Sequence, residues 1–398
     1  MTREIDTDVL LFGGGIAGLW MLARLRTAGY SALLLEAHRL GGVQTPASQG
    51  IIHGGTKYAL TGKLTGSARS IGAMPGVWRA CLDGTGELDL SGVRLLSDHQ
   101  YLWSTGTPTS ELAGFFASHA MRSRVAAADA DGRPAPLRHA SFNGHAYRLD
   151  EPVLDTGSLL RRLGGQFGEY CLKIDPEQGL RFLEGRPPTV ALTDPDGGAL
   201  RLRARRLVLV AGAGNERLLA ALGRAKPAMQ RRPLHMLMAR GDLPDLYAHC
   251  LGIGVNPRIT VTTHSLPDGD KVWYLGGQIA EQGVERATRE QVAAGQRELA
   301  QVLPWLEFSG LRWACLRVDR AEPRQAGGRR PDKPFLDTRD GVSVAWPTKL
   351  AFAPALAGEL MRSLAHGGIR PGGGEGAPAN WPRPSPAPLP WEATREWN

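Results

Sequence analysis

The chain has 398 residues, 42% hydrophobic and 22% charged, values of a globular protein with more than one core and not of a disordered or fibrous chain. No apolar run is long enough to span a membrane, and the four cysteines, at 81, 171, 250 and 315, form no C-x-x-C pair. A net charge of +8 rests on 47 basic residues, mostly scattered arginines with no nucleic-acid motif: either a solvated surface in an arginine-rich composition or, if the excess is functional, a preference for anionic substrates over nucleic acid.

Residues 8–12 are a short apolar run that predicts one buried parallel strand. Gly13, Gly15 and Gly18 follow at G-x-G-x-x-G spacing. Ile16, Leu19, Ala23 and Arg26 then recur at helical spacing, and Gly29 stands where that helix should end. Residues 31–36 predict a second strand with Glu36 at its carboxyl end. This is a complete strand, glycine turn, helix, strand and acid unit for a dinucleotide. Gly13 permits the tight turn, Gly15 lets a pyrophosphate approach the backbone, and Gly18 lets helix and strand pack closely. Ile16 and Ala17 open the helix, whose free N–H groups and positive dipole end face the phosphates. Glu36, followed by Ala37, can accept hydrogen bonds from the adenosine ribose and disfavours a 2′-phosphate. The run is not read as a signal sequence, because Asp6 and Asp8 stand where a basic region should be. Reduced thiols in a cytoplasmic protein are expected, with no metal site and with peripheral attachment to a membrane left open.

Residues 37–58 follow, ending in Ile52-His53-Gly54-Gly55-Thr56-Lys57-Tyr58. This stretch resembles FAD-dependent oxidoreductases of the D-amino-acid oxidase superfamily, the group that includes glycine oxidase, glycerol-3-phosphate dehydrogenase and L-2-hydroxyglutarate oxidase. The resemblance implies that residues 41–48 wrap the FAD pyrophosphate and ribityl chain, with Gly42, Thr45, Ser48, Gln49 and Gly50 against the cofactor. It also implies that His53 lies close to the flavin. Pro46 departs from the pattern and leaves open which hydroxyl touches phosphate.

Residues 60–80 predict a helix carrying Leu64, Ala68, Ile71 and Trp78, and residues 110–125 a capped helix with Leu112, Phe115, Phe116 and His119. Residues 93–96 and 100–103 predict strands. Residues 146–155 read as extended, with Pro152 confining them to an edge or bulge, and Thr156 as the cap of a short helix to about Leu163. Residues 189–193 and 199–202 flank a turn and form a hairpin. The hairpin leads into a buried strand ending in Ala211-Gly212-Ala213-Gly214, which resembles the family segment that passes beside the dinucleotide. Strands are expected at 232–240, 257–264 and 271–279. Residues 288–303 predict an amphipathic helix capped by Thr288, with Gln291 completing a capping box.

Residues 316–334 carry Arg317, Arg320, Arg324, Arg329 and Arg330. In the family such a segment reaches the substrate, so the resemblance makes Arg320 or Arg324 the arginine that clamps a carboxylate or phosphate. Pro347, Thr348, Lys349 and Leu350 then open a helix to about Leu364. That segment resembles the family's flavin-facing helix start, where Lys349 would face flavin O2; Pro354 suggests an irregular first turn. From Gly367 the sequence is rich in Gly and Pro, and an extended or disordered tail is expected, whose Trp381, Trp391 and Trp397 either dock on the body or leave it without a function.

The combined reading is an α/β protein: a Rossmann-like FAD-binding domain of the glutathione-reductase kind with an inserted strand-rich α+β substrate domain. FAD-binding pieces are expected at 1–75, 147–230 and 316–366, substrate-domain pieces at 76–146 and 231–315, and the tail at 367–398. The resemblance implies FAD, held non-covalently, and oxidation of a small anionic substrate at a CH–OH carbon, a 2-hydroxy acid or polyol phosphate, by hydride transfer to flavin N5. His53 is then the base. Alternatives are an amino acid or secondary amine oxidised at CH–NH, a flavin-containing tRNA-modifying protein, a non-catalytic flavoprotein and a plain NAD-dependent dehydrogenase. The electron acceptor is left open among oxygen, a quinone and a protein.

Overall fold

The computed structural model describes residues 3–55, 71–106, 125–194, 197–252, 257–373 and 376–398. Outside them lie Thr56, Lys57 and Tyr58, the Leu64 and Ala68 part of the first expected helix, and the expected helix at 110–125 apart from its last residue.

The first strand, Arg3–Phe12, is the centre of an eight-stranded sheet. It pairs in parallel with Ala32–Glu36 on one side and Ala199–Leu209 on the other. Cys171–Lys173 and Val342–Trp346 extend the parallel array outward, and Phe335–Arg339 closes it antiparallel. The antiparallel hairpin of Leu180–Gly185 and Pro188–Thr193 joins along Ala199–Leu209. Alternate residues of the first strand feed two different cores. Val9 and Leu11 face one cluster, and Leu10 and Phe12 face the other. A parallel strand must be covered on both faces, and this one is.

The first face is covered by the helices Ile16–Thr27, Thr156–Phe167 and Ala353–His366. Ile16–Thr27 is buried nearly all round, because it lies between the sheet and the other two helices. The second face is covered by the hairpin, by the helix Asn215–Ala221 and by Trp381.

The second sheet also has eight strands, in the order Arg312–Pro323, Met229–Gly241, Lys271–Gly276, Ile259–Ser265, Ala248–Cys250, Gln100–Trp103, Ala146–Leu149 and Val125–Ala127. All neighbours are antiparallel except Ala248–Cys250 with Gln100–Trp103. Arg312–Pro323 stays in this sheet throughout, so the division expected at 316 falls inside one strand.

Three local expectations are corrected. The helix Thr156–Phe167 is capped by Asp155, whose carboxylate accepts the Ser158 N–H at 2.7 Å; Thr156 is already helical. In Thr288–Val302 it is Glu290 that bonds back, to the Ala287 N–H at 2.9 Å. Gln291 turns inward and donates to His235 O at 2.8 Å and Ile279 O at 3.0 Å. The C-terminal helix begins at Ala353, after a 3-10 turn at Leu350–Phe352, so Pro354 sits in its first turn, where its missing N–H costs nothing.

The described part of the tail is mostly extended, with one short helix at Pro390–Ala393, and its tryptophans Trp381 and Trp391 dock on the body. Ser385 O accepts the Leu40 N–H at 2.9 Å, and Ala387 N–H donates to Leu40 O at 2.7 Å. Trp381 donates to Lys173 O at 2.9 Å. Trp391 is buried against His264, with ring centroids 3.9 Å apart, and against Tyr274. Asn398 exchanges two 2.8 Å backbone bonds with Trp313 on the outer strand of the second sheet. Of the two outcomes that the composition left open, docking holds, because a few aromatic anchors are enough to fix an otherwise featureless segment. Trp391→Ala is expected to lower unfolding stability by about 3–5 kcal/mol, read as a shifted urea midpoint. An unchanged midpoint would mean that the tail rests on the body without supporting it.

Candidate active site

The carboxyl ends of the first two strands and of Ala199–Leu209 open on a cavity of about 1760 Å³, whose opposite wall comes from the second sheet. Ligands of open α/β sheets sit at such strand ends. The volume exceeds that of ordinary small-molecule pockets and suits a dinucleotide together with a second small molecule.

The glycine turn is built from close contacts. Gly13 has φ +111°, and a Cβ there would lie 2.5 Å from Ala211 Cα. A Cβ on Gly18 would lie 1.9 Å from Gly13 O, so helix and strand touch backbone to backbone, as expected. Gly15 is different. Its φ is −68°, and a Cβ would meet nothing nearer than Thr45 Oγ1 at 3.7 Å. No atom of the described residues requires glycine there. The missing side chain leaves room for a ligand lying on the turn, and the residues present therefore fit the pyrophosphate of FAD.

Glu36 lines the cavity next to Ala37. Its carboxylate accepts Gly14 N–H at 2.6 Å and His38 N–H at 2.7 Å, which fixes it with lone pairs to spare for a ribose. Gly42, Thr45, Ser48, Gln49 and Gly50 all line the cavity. Thr45 accepts the Ile16 N–H at 3.0 Å, and Ser48 donates to Thr45 O at 2.8 Å. Gln49 reaches across to the second sheet and donates to Tyr274 O at 2.9 Å and Thr260 O at 3.2 Å. Ile16, Ala17, Ala211 and Gly212 are also in the wall; Gly18 lies behind it. Asn215 holds the 211–214 turn, accepting Ala211 N–H at 2.8 Å and donating to Ala345 O at 3.2 Å.

Pro347, Thr348, Lys349 and Leu350 line the cavity ahead of the C-terminal helix, not within it. Thr348 is held at φ +62°, a conformation that β-branched residues avoid, and its hydroxyl donates to Lys333 O at 3.2 Å. Backbone strain of this kind collects at ligand clamps.

His53 is placed by chain pairing. Ile51 bridges antiparallel to Val153, and Ile52 N–H donates to Pro152 O at 2.9 Å. His53 thus comes opposite Glu151, with Nδ1 3.4 Å from a carboxylate oxygen and the side chain 33% exposed toward the cavity it lines. His249 stacks on it, ring centroids 5.7 Å apart, and is itself bonded to Thr260 Oγ1 at 2.8 Å. Burial lowers the His53 pKa below the ordinary imidazole value; Glu151 opposes this, and the charges of Lys349 and Arg330 add to it. Glu151 is buried, yet its hydrogen bonds and the histidines keep its carboxyl below the usual range.

The two candidate arginines part company. Arg320 lines the cavity and is partly buried, which brings its guanidinium down to about 10, still cationic at neutral pH. Its contacts to Arg232 O and Glu281 Oε1 are both 3.4 Å, long for charge-assisted bonds. Arg324 is exposed and lies outside the cavity wall. Arg317 lines the cavity but is occupied by the carbonyls of Val284 and Arg286. The sequence reading missed Glu151, His249 and Asn215. His249 is a lone polar residue in an apolar stretch, Glu151 follows Asp150 and Asn215 precedes Glu216, and nothing at sequence level separates any of them from an ordinary polar group.

The family described as FAD dependent oxidoreductase, DAO, matches residues 8–360. The probable FAD-dependent oxidoreductase PA4991 of Pseudomonas aeruginosa is 52% identical over 394 residues, covering 98% of this chain and 99% of that one. The crystal structure of PA4991 matches with a TM-score of 0.85 at 47% identity, over 98% and 99% of the two chains. Glycine oxidase from Geobacillus kaustophilus shares the fold, with a TM-score of 0.66 at 15% identity over 91% and 95% of the chains. A glycine turn shaped for a dinucleotide, a match across most of the length and a relative this similar lead to one conclusion: the chain belongs to the DAO family of FAD dependent oxidoreductases.

Proposed function

We propose that this enzyme oxidises a small anionic molecule, a 2-hydroxy acid or polyol phosphate, at a CH–OH carbon. In this reading the first sheet and its helices hold FAD, and the second sheet supplies the substrate wall. FAD, when bound, supplies the hydride acceptor at its N5 atom. Loss of hydride from the carbinol carbon leaves a carbonyl only if the hydroxyl proton also departs. His53 is the group that takes it. The observation that carries the reading is the position of this ring on the cavity wall, beside a carboxylate and with a lowered pKa. Neutral imidazole is a suitable base, whereas an amine substrate can react as the free base and needs none. Arg320 holds the anionic group. The wall around it also carries Arg231, Arg329, Arg330 and Lys349 against Glu281, Asp319 and Asp332, an excess of positive charge.

A second reading is oxidation at the CH–NH carbon of an amino acid or secondary amine. Glu281 and Asp319 in the wall favour it, since either could take an ammonium group. Anaerobic screening of hydroxy acids, polyol phosphates, amino acids and secondary amines for flavin bleaching decides between the two. Bleaching by amines alone would overturn the first reading.

FAD is held non-covalently in this proposal, so acid precipitation should leave a yellow supernatant containing FAD. Flavin retained in the pellet would point to covalent attachment. Arg320→Ala should raise KM by a factor worth about 2–4 kcal/mol while the flavin spectrum stays normal. Arg324→Ala should behave as wild type, because that side chain lies outside the cavity. Equal behaviour of the two variants would remove Arg320 from substrate binding.

His53→Gln should slow anaerobic flavin reduction by about 10²–10⁴-fold with FAD still bound. The sign of the pH dependence follows from the lowered pKa. The neutral base is present at and above pH 7, so the wild-type rate should be flat there. It should fall as pH drops through a midpoint below about 6.5. A midpoint above that value would be inconsistent with the desolvation and the neighbouring cations that act on the ring.

A further inference from the structure

We propose that Glu151 is a positioning residue that holds His53 in the tautomer with its proton on Nδ1, so that Nε2 is the basic nitrogen offered to the substrate. The proposal rests on the reading of His53 as the base. Its grounds are geometric. Antiparallel pairing of Ile51 with Val153 sets residue 53 opposite residue 151. The register is held on both sides of the pair, by Ile52 N–H to Pro152 O at 2.9 Å and by Gly54 N–H to Glu151 Oε1 at 2.6 Å. Glu151 Oε2 receives the side-chain amide of Gln100, a residue with no exposure at all. Glu151 N–H is tied to Leu149 O at 2.8 Å. A carboxylate that is 4% exposed and fastened in this way cannot turn elsewhere. What its Oε2 faces, at 3.4 Å, is His53 Nδ1.

An ionised carboxylate can only accept, so the ring nitrogen facing it must carry the proton. In a neutral imidazole the lone pair then lies on Nε2. The separation is longer than a mature charge-assisted bond, as is common before substrate is bound. When Nε2 takes the substrate proton, the ring becomes cationic, and Glu151 is the anion placed to stabilise it. Lys349 and Arg330 act on the ring in the opposite sense, and His249 stacks on its face. Glu151 therefore keeps a histidine usable as a base beside the cations Lys349 and Arg330.

Glu151→Gln tests this with little change of shape. The amide oxygen can still accept the Gly54 N–H, while the amide NH₂ turned to Nδ1 favours the opposite tautomer and donates to Gln100 once that amide flips, its Oε1 having no partner among the described residues. The holoenzyme is labelled with ¹⁵N-histidine, and the His53 resonances are assigned by their loss in His53→Gln. In wild type, Nδ1 should show the shift of a protonated ring nitrogen and Nε2 that of an unprotonated one; Glu151→Gln should reverse them. With a reducing substrate, Glu151→Gln should slow flavin reduction by about 10²–10⁴-fold, with KM and the flavin spectrum retained. The acid limb of the rate should move to lower pH, and Glu151→Asp should recover part of the rate. A wild-type His53 protonated on Nε2, or a variant unchanged in both tautomer and rate, overturns the proposal. Should Glu151→Gln fail to hold FAD, the wild-type spectrum alone decides. If no hydroxy compound reduces the flavin but the tautomers are as stated, the substrate reading fails and the role of Glu151 stands.

Discussion

Residues 40–54 have almost no secondary structure of their own, and their backbone and side-chain groups must find partners elsewhere. Every major part of the fold supplies some. The first helix offers the Ile16 N–H to Thr45. The second sheet offers the Tyr274 hydroxyl to Ala47 O, at 2.9 Å, and takes the Gln49 amide. The segment at 151–154 pairs with residues 50–54, and the tail pairs with Leu40. Gly50, at φ +72°, lies so close to Leu154 O that a Cβ would come within 2.0 Å of it. The cavity wall thus depends on four separate parts of the chain closing around one irregular segment.

That dependence gives the site its rigidity. A histidine on a free loop would sample many orientations. His53 is instead set by a strand register, which is a discrete quantity: a slip of one residue would turn the ring to the other face. The same closure brings together groups of unlike origin. Glu151 follows a strand of the second sheet, His249 lies on another strand of that sheet, Lys349 precedes the C-terminal helix, and Arg320 lies on the outer strand of the second sheet. Desolvation and neighbouring cations lower the pKa of His53 and bring Arg320 down to about 10, and an anionic ligand beside Arg320 would favour its charged form.

The tail enters the same economy of partners. Trp381 helps to cover one face of the first sheet, and Trp391 closes a smaller core against Met236, Met238 and Tyr274. Between them the chain is mostly proline and alanine, and its backbone bonds go to Leu40 and Lys173. Proline lowers the entropy lost when such a segment docks, so a few aromatic contacts and hydrogen bonds suffice.

Local order was legible in the sequence wherever it follows from local sterics or periodicity. The glycine turn, the acid at Glu36, the first helix and the parallel strands flanking it are of this kind, because hydrophobic period and glycine spacing act over a few residues. The resemblance carried by residues 52–58 pointed further, to the cofactor class. Helix starts were misread at Thr156 and Thr288, where Asp155 and Glu290 offer the bond, and at Pro347, where a 3-10 turn at Leu350–Phe352 delays the helix to Ala353; only the folded backbone selects among these. Arg320 and Arg324 are indistinguishable as sequence; Arg320 lies within the outer strand and lines the cavity, whereas Arg324 lies just past the end of that strand and is exposed. The sequence by itself determined that a dinucleotide turn and a parallel sheet would form. Only the tertiary structure decided that Glu151 meets His53, since those residues lie far apart in the chain and their contact depends on a register set by long-range pairing.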